Sequence, residues 1–214
     1  MSNTIADIRK EYKLQTLSEK DVHKNAFSQF DKWWQEAIHS GLDEVNAMTL
    51  ATASADGMPD ARIVLLKGFD ENGFVFFTNY HSTKGQQLLE NPRASLVFFW
   101  AALERQVRIS GLVSLASSKV SDEYFDSRPE GSRIGAWASP QSDVIESREW
   151  LEENEKKLKE ELAGNSMHRP PHWGGYLVKP VRIEFWQGRP SRLHDRILYS
   201  LQGNGSWNIE RLAP

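Results

Sequence analysis

The period of the apolar positions changes along the chain, and each change predicts a different element. Between Asn25 and Ser40, the residues Phe27, Phe30, Trp34, Ala37 and Ile38 recur at helical spacing. They predict a helix capped by Asn25, stopped at Gly41, with those side chains on its buried face. From Ala47 the period falls to two. Ala47–Ser54, Ala61–Phe69 and Gly73–Thr78 read as successive strands, separated by Asp56-Gly57 and Asn72-Gly73 turns, as in an antiparallel meander. The middle strand contains Arg62-Ile63-Val64-Leu65-Leu66-Lys67, an apolar run with a cation at each end, and its composition predicts burial on both faces.

Helices then interrupt the strands. Ser82 caps a predicted helix from Thr83 to Glu90, closed by Asn91-Pro92. Strands follow over Ala94–Ala101 and Arg105–Leu115. A helical region covers Ser117–Ser127, a helical turn Gly131–Ala138, and the longest helix Ser142–Ala163. In that helix Leu151, Leu158 and Leu162 form a narrow apolar stripe, while Glu152/Lys156, Glu153/Lys157 and Glu155/Lys159 give a solvated face. Beyond Pro170-Pro171 the predicted strands are Gly174–Val178, Val181–Trp186, Leu193–Leu201 and Ser206–Leu212, the last pair joined by Gly203-Asn204-Gly205. Strands dominate and no βαβ alternation appears. The expected fold is mainly β with added helices: one closed or partly split antiparallel barrel over residues 25–214, preceded by a mobile arm over 1–24.

Composition narrows the function. The 214 residues are enough for a sizeable core. A net charge of −3 speaks against a general nucleic-acid binder. The absence of cysteine excludes thiol catalysis, disulfides and thiolate metal sites, and fits a reducing compartment. No stretch approaches the roughly 20 apolar residues of a membrane span, and Met1 to Lys20 lacks a signal-peptide core. A cytoplasmic protein without membrane or nucleic-acid partners is expected.

There is no G-x-G-x-x-G, P-loop or G-x-S-x-G element, and Pro170-Pro171 forbids the helix that would pair His168 with His172 on a metal. What remains is a set of anion-binding parts. Ser82-Thr83-Lys84 opens a helix with free N–H groups, hydroxyls and a cation. Tyr124, Arg128 and Ser132 form a second polar group at spacing four. In Arg192-Leu193-His194-Asp195-Arg196, strand alternation would send Arg192, His194 and Arg196 to one face, where like charges repel unless an anion lies against them. Trp186 and Gln187 end an aromatic strand, and a Trp can stack on a planar ring. Alone, Arg62 and Lys67 read as strand ends reaching solvent by their alkyl stems. Taken with the other groups they suggest two phosphates and a flat heterocycle.

Several motifs in one order carry a resemblance. Arg62–Lys67, Leu103-Glu-Arg-Gln-Val107, Gly135-Ala-Trp137, Gln141-Ser142, Trp173-Gly-Gly175, Ile183-Glu-Phe-Trp-Gln-Gly188, Arg192–Arg196 and Arg211-Leu-Ala-Pro214 resemble the pyridoxine (pyridoxamine) 5′-phosphate oxidase family, from about Arg9 to the C-terminus. The resemblance implies an FMN-binding split β-barrel, a homodimer with FMN at the subunit interface, and pyridoxal 5′-phosphate synthase activity. Pyridoxine or pyridoxamine 5′-phosphate would be oxidised with O2 as acceptor, giving hydrogen peroxide, and ammonia from the amine. It implies FMN contacts from the run Arg62, Ile63, Val64, Leu65, Leu66 and Lys67, and from Phe77, Thr78, Thr83, Lys84, Gln106, Gln141, Ser142, Trp186 and Arg196. Substrate contacts would come from Lys67, Tyr124, Arg128 and Ser132 and from Arg192, Leu193 and His194, with Arg192 and His194 at the reacting carbon. Arg9 and Tyr12 match a segment that can cover the substrate.

Two positions depart from the family pattern. Phe77 stands where Tyr is frequent, and Thr83 where Arg is common, which removes a charge-assisted contact of about 1–3 kcal/mol. Two other readings share the anion-binding parts: a split-barrel flavin reductase or other FMN oxidoreductase, and a non-enzymatic flavin or pyridoxal-phosphate carrier. One geometric difficulty is visible in advance. Residues five apart on a regular strand face opposite sides, so Arg62 and Lys67 need a bulge, a strong twist or a strand end between them to meet one ligand.

Overall fold

The computed structural model describes residues 4, 5, 8, 10–161 and 167–214. Among the described residues nine strands form one sheet: β1 (Ala47–Ala53), β2 (Pro59–Leu65), β3 (Gly68–Asp70), β4 (Gly73–Asn79), β5 (Arg93–Trp100), β6 (Arg105–Leu115), β7 (Trp173–Gln187), β8 (Asp195–Leu201) and β9 (Trp207–Leu212). The ladder order is β2-β1-β5-β6-β7-β4-β3, with β8 on β7 and β9 on β8. The β3–β4, β4–β7, β7–β8 and β8–β9 ladders are antiparallel. Five α-helices accompany them: α1 (Ala26–His39), α2 (Thr83–Glu90), α3 (Ser118–Ser127), α4 (Glu130–Ala138) and α5 (Arg148–Glu161). This is the mainly β, split-barrel class with added helices that the residue pattern predicts. Among the described residues no helix is long and apolar enough to cross a membrane.

The chain forms two compact units. The first comprises Met1–Thr49, Ser95–Ser110 and Pro180–Pro214, and the second Leu50–Ala94 and Gly111–Lys179. In the first unit, Asn25 caps α1 by accepting the N–H groups of Phe27 (2.8 Å) and Ser28 (3.2 Å). The buried face of α1 is Ala26, Gln29, Phe30, Trp33 and Ala37, so Phe30 and Ala37 are buried as predicted while Phe27, Trp34 and Ile38 are not. Trp33 decides the rotation: its ring meets Phe185 edge-on at 5.2 Å and lies under the Arg105 guanidinium at 4.4 Å. Phe27 and Trp34 are left half-buried at the margins, against Trp207 and Trp100, and Ile38 is exposed.

The segment before α1 is tied down by carboxylates. Glu104, itself buried, accepts the N–H groups of Lys13 (2.8 Å) and Leu14 (3.0 Å), and Asp195 accepts that of Leu17 (3.0 Å). In β8 the aromatic core continues: Tyr199 is buried against Phe185, and its hydroxyl donates to the His23 carbonyl at 2.6 Å.

The predicted strand Leu193–Leu201 begins two residues later, because Pro190–Arg192 forms a 3₁₀ turn in which Ser191 and Arg192 have φ of 55° and 62°. Arg192, His194 and Arg196 therefore do not share a strand face, which corrects the expected row of three cations. Arg196 instead lies in β8 with its guanidinium on the Glu184 carboxylate (2.8 Å).

In the second unit, β2 is not buried on both faces as its composition predicts. It is the first strand of the ladder order, and Ile63 is 65 % exposed. The predicted strand Ala61–Phe69 breaks after Leu65; only Leu66 turns into the core, and β3 starts at Gly68. Gly73 closes the β3–β4 turn with φ 145°, where a β-carbon would lie 2.3 Å from the Val178 carbonyl oxygen. Ser82 caps α2, its Oγ accepting the Gly85 N–H at 3.4 Å. Gly131–Ala138 is a full helix rather than a turn, starting at Glu130 behind Pro129.

The predicted helix Ser142–Ala163 starts only at Arg148. Ser142 has φ 78°, which ends any helix there, and Ser147 accepts the Trp150 N–H at 3.2 Å to start a new one. Leu162 and Ala163, with the last leucine of the stripe, lie outside the described residues. The two predicted strands Gly174–Val178 and Val181–Trp186 are one strand, β7. Its ladder with β4 ends at Val178 and its ladder with β8 starts at Arg182, so Pro180, which has no N–H, falls between them.

Candidate active site

The second unit holds an open cavity of about 630 Å³. Its wall begins with Arg62, Ile63, Val64 and Leu65 of β2 and continues through Lys67. The strand ends between Leu65 and Lys67, so the chain leaves strand geometry before Lys67 and both cations reach one cavity. That resolves the parity difficulty. Phe77 and Thr78 come from the end of β4, Lys84 from the first turn of α2, Tyr124 from α3, Arg128 and Pro129 from the α3–α4 corner, Ser132 from α4 and Gln141 from the turn after it. Trp173, the first residue of β7, completes the lining.

The cations of this cavity are held differently. Arg62 pairs with Asp60 and donates to Thr52 Oγ1 (2.6 Å) and the Leu50 carbonyl (3.2 Å), so its head is fixed before any ligand arrives. Lys84 Nζ donates to Ser82 Oγ (3.0 Å) and Gln141 Oε1 (2.9 Å), and Gln141 Oε1 also accepts from Thr78 Oγ1 (3.0 Å). Burial, and secondarily the charge of Arg62, push the Lys84 ammonium down to about 8. Lys67 Nζ lies 5.9 Å from the Tyr124 ring centroid, and Phe77 stacks on that ring at 4.0 Å. Arg128 has a buried Nη1 without a hydrogen-bond partner, and burial pushes its guanidinium below its usual range. Three expected contacts are elsewhere in this unit: Leu66 is in the core, Thr83 is exposed at the first position of α2, and Ser142 is exposed after Gln141.

The first unit holds a second cavity, of about 490 Å³, whose lining includes Tyr12, Arg192 and His194 together with Lys10, Arg189 and Ser191. His194 packs on Trp186 (4.6 Å between centroids), and Tyr12 meets the edges of both rings at 5.6 and 5.9 Å. The Arg189 N–H donates to His194 Nδ1 at 3.1 Å. Burial first, and the nearby Arg192 charge second, lower the imidazole below its ordinary value. Of the other expected residues, Leu193 is 69 % exposed, Gln106 is half-buried in β6, and Arg196 is bound to Glu184 and to the Ala213 carbonyl (2.8 Å). Arg9 lies outside the described residues.

Sequence reasoning missed the residues that hold the others. Asp60 and Thr52 orient Arg62, and Glu184 holds Arg196 and Arg108. Glu184 did carry a signal, since an acid at an otherwise apolar strand position needs partners. Asp60 and Thr52 carried none.

Residues 34–159 match the family described as pyridoxamine 5′-phosphate oxidase, and residues 173–214 match the pyridoxine 5′-phosphate oxidase C-terminal dimerisation region. The chain is 59 % identical over 214 residues to a pyridoxine/pyridoxamine 5′-phosphate oxidase of Nostoc punctiforme, covering 100 % of both chains. It is 60 % identical over 212 residues to one of Paraburkholderia phymatum, covering 99 % of this chain and 100 % of the relative. Among solved structures, PhzG from Burkholderia lata 383, in complex with tetrahydrophenazine-1-carboxylic acid, superposes with a TM-score of 0.88 at 30 % identity, covering 94 % of this chain and 99 % of that one. A pyridoxamine 5′-phosphate oxidase-related, FMN binding protein from Nostoc punctiforme shares the fold, with a TM-score of 0.70 at 20 % identity and coverage of 90 % and 100 %.

Proposed function

The chain belongs to the pyridoxamine 5′-phosphate oxidase family, and we propose that it oxidises pyridoxine 5′-phosphate and pyridoxamine 5′-phosphate to pyridoxal 5′-phosphate. The observation that carries this reading is the cavity of the second unit, lined by four cations and by no acidic side chain among the described residues. Such a cavity suits ligands that bring phosphate. When bound, FMN supplies the acceptor for the two electrons leaving the substrate carbon, and O2 takes them on to give hydrogen peroxide.

The residues present fit that cofactor. Lys84 is partly desolvated and lowered to about 8, a cost that an adjacent phosphate relieves, and Arg62 is already oriented beside it. In this reading Arg62, Lys84, Thr78 and Gln141 hold the cofactor, and Ile63 to Leu65, Lys67 and Phe77 offer it an apolar and backbone wall. Leu66, Thr83, Ser142, Gln106, Trp186 and Arg196 are contacts that the family resemblance alone suggests, and none of them lines this cavity. Tyr124, Arg128 and Ser132 grip the substrate phosphate. Arg192 and His194 orient the pyridine ring and reacting carbon, Leu193 lies between them, and Arg9 and Tyr12 cover the substrate. His194 accepts at Nδ1 from Arg189, so its Nε2–H is available to donate to the substrate. The alcohol substrate loses two electrons and two protons; the amine does the same and then takes up water to release ammonia.

A homodimer with FMN at the subunit interface belongs to the same reading, supported by the match of residues 173–214 to a dimerisation region. So does a cytoplasmic location, which suits a chain without cysteine. An absorption spectrum followed by an oxygen electrode tests the proposal. Yellow protein that consumes oxygen on addition of pyridoxine 5′-phosphate is the expected result. Yellow but inert protein points to a carrier or another substrate, and protein unable to take up FMN overturns the assignment.

A further inference from the structure

Arg128 is held differently from three other arginines of this protein. Arg105, Arg169 and Arg196 each pair with a carboxylate. Among the described residues Arg128 has no acidic partner, and its Nη1 is buried without a hydrogen bond. What it does have is a ring: its guanidinium carbon lies 4.6 Å from the centroid of Trp173. Trp173 is 6 % exposed and lies in the cavity wall. The same indole stacks on Phe77 (5.6 Å, 12° between planes) and lies nearly parallel to Tyr124 (6.1 Å, 10°). Phe125 meets it at 64° from the core, and its backbone is pinned by the Asn79 pairing at the start of β7 and by Arg169, which donates to its carbonyl at 2.5 Å.

We propose that Trp173 is the positioning residue of the substrate-phosphate grip, holding Arg128 by its face and Tyr124 through the near-parallel ring cluster that it forms with Phe77 and Tyr124. This deepens the reading given above and rests on it. The physical reason is a difference between two ways of orienting a guanidinium. A carboxylate occupies two of its five in-plane N–H donors and cancels its charge, so an arriving phosphate must compete. An aromatic face attracts the cation through its quadrupole and leaves every edge donor free. A buried indole also keeps the cation in a drier medium, which strengthens its attraction for a dianion. Phe77 acquires a role here as well. Its ring lies face to face with Tyr124 at 4.0 Å and near-parallel to the indole at 5.6 Å, so it closes the apolar side of a three-ring cluster.

The test is steady-state oxidation of pyridoxine 5′-phosphate by FMN-loaded enzyme, with inorganic phosphate as competitive inhibitor. Trp173→Leu should raise KM by about 10- to 30-fold, the equivalent of a desolvated cation–π contact. The inhibition constant of phosphate should rise in proportion, with kcat and bound FMN little changed, because an anchor acts equally in ground and transition states. Trp173→Phe, which keeps a ring face, should be closer to wild type. In an Arg128→Ala background Trp173→Leu should cost clearly less than it does in the wild type, the remainder being what it exerts through Tyr124. A KM within two-fold of wild type in Trp173→Leu, or an equal loss with Arg128 already removed, overturns the proposal. If Arg128→Ala itself leaves KM unchanged, the reading of the substrate site has failed instead. Should Trp173→Leu not fold, the wild-type protein still decides: the indole ring current should move the Arg128 δ-methylene protons upfield, and unshifted protons overturn the contact.

Discussion

The backbone N–H of Arg189 donates to Nδ1 of His194 at 3.1 Å, and this fixes the state of the imidazole. An amide can only donate, so Nδ1 is the unprotonated nitrogen and the proton of the neutral ring sits on Nε2. Burial and Arg192 act in the same direction, lowering the pKa below its ordinary value of 6.5. A lowered histidine favours the neutral form in the native state. Its contribution to stability is fully present above pH 6.5 and is lost as pH falls from there through the native value. Nitrogen-15 spectra of the histidines should show His194 as the Nε2–H tautomer with a native pKa below 6.5, and kcat/KM should fall on the acid side with the same apparent value. A neutral Nδ1–H tautomer would exclude this arrangement.

Arg192 sits at φ 62°, in the left-handed region, beside His194 in the cavity of the first unit. A non-glycine residue held there is strained, which places its side chain at a cost in stability. Arg192→Ala is expected to lower kcat by about 10²-fold or more, as for loss of a group that stabilises developing charge, while FMN stays bound. Arg192→Gly should lose as much activity yet unfold at an equal or higher temperature than Arg192→Ala, since glycine adopts that φ freely. Turnover at the wild-type rate in either variant removes Arg192 from the reaction centre.

The lowered Lys84 predicts that FMN binding depends on pH. Its ammonium is depressed from 10.5 to about 8, so between those values the unfolded chain binds more protons than the native one, and stability rises with pH. A phosphate beside Lys84 favours the charged form again. Binding of FMN to the apoprotein should therefore take up protons and weaken as pH climbs above about 8. Lys84→Met should bind FMN more weakly and show a flatter dependence. Calorimetric titration in two buffers of different ionisation enthalpy reads the proton uptake directly, and none at pH 8.5 would contradict the placement of the phosphate.

Gly188 is a sharper probe of the N-terminal segment. A β-carbon there would lie 2.6 Å from Cγ of Tyr12, while the backbone itself does not require a glycine conformation. Gly188→Ala should therefore fold but push the Tyr12 ring off Trp186 and His194. The expected outcome is a KM for pyridoxine 5′-phosphate several-fold above wild type, matched by Tyr12→Ala, with no added effect in the double variant. Additive losses would show that Gly188 acts elsewhere.

Much of the architecture was legible in the residue pattern because local rules set it. Asn25 and Ser82 cap their helices as their short polar side chains predict, and the Asn72-Gly73 turn forms where the positive φ of Gly73 is needed. The boundaries that shifted did so where a tertiary partner or a strained residue outweighs propensity: Trp33 rotates α1, Ser142 delays α5, and the turn at Ser191–Arg192 shortens β8. Burial was least legible. Ile63 and Val64 have the composition of a doubly buried strand, but ladder order, which no local pattern encodes, makes β2 an edge.

By itself, then, the chain determined the mainly β class, the helix caps, the tight glycine turns and the chemical inventory of cations and rings, because each depends on neighbours within a few residues. Only the tertiary structure decided how those groups are used. It ends β2 so that Arg62 and Lys67 reach one cavity, divides Arg192 and His194 from Arg196, and gives Arg128 an indole face in place of a carboxylate. The reason is physical: a side chain's type fixes what it can bind, but its free donors depend on what packs against it, and those partners come from distant parts of the chain.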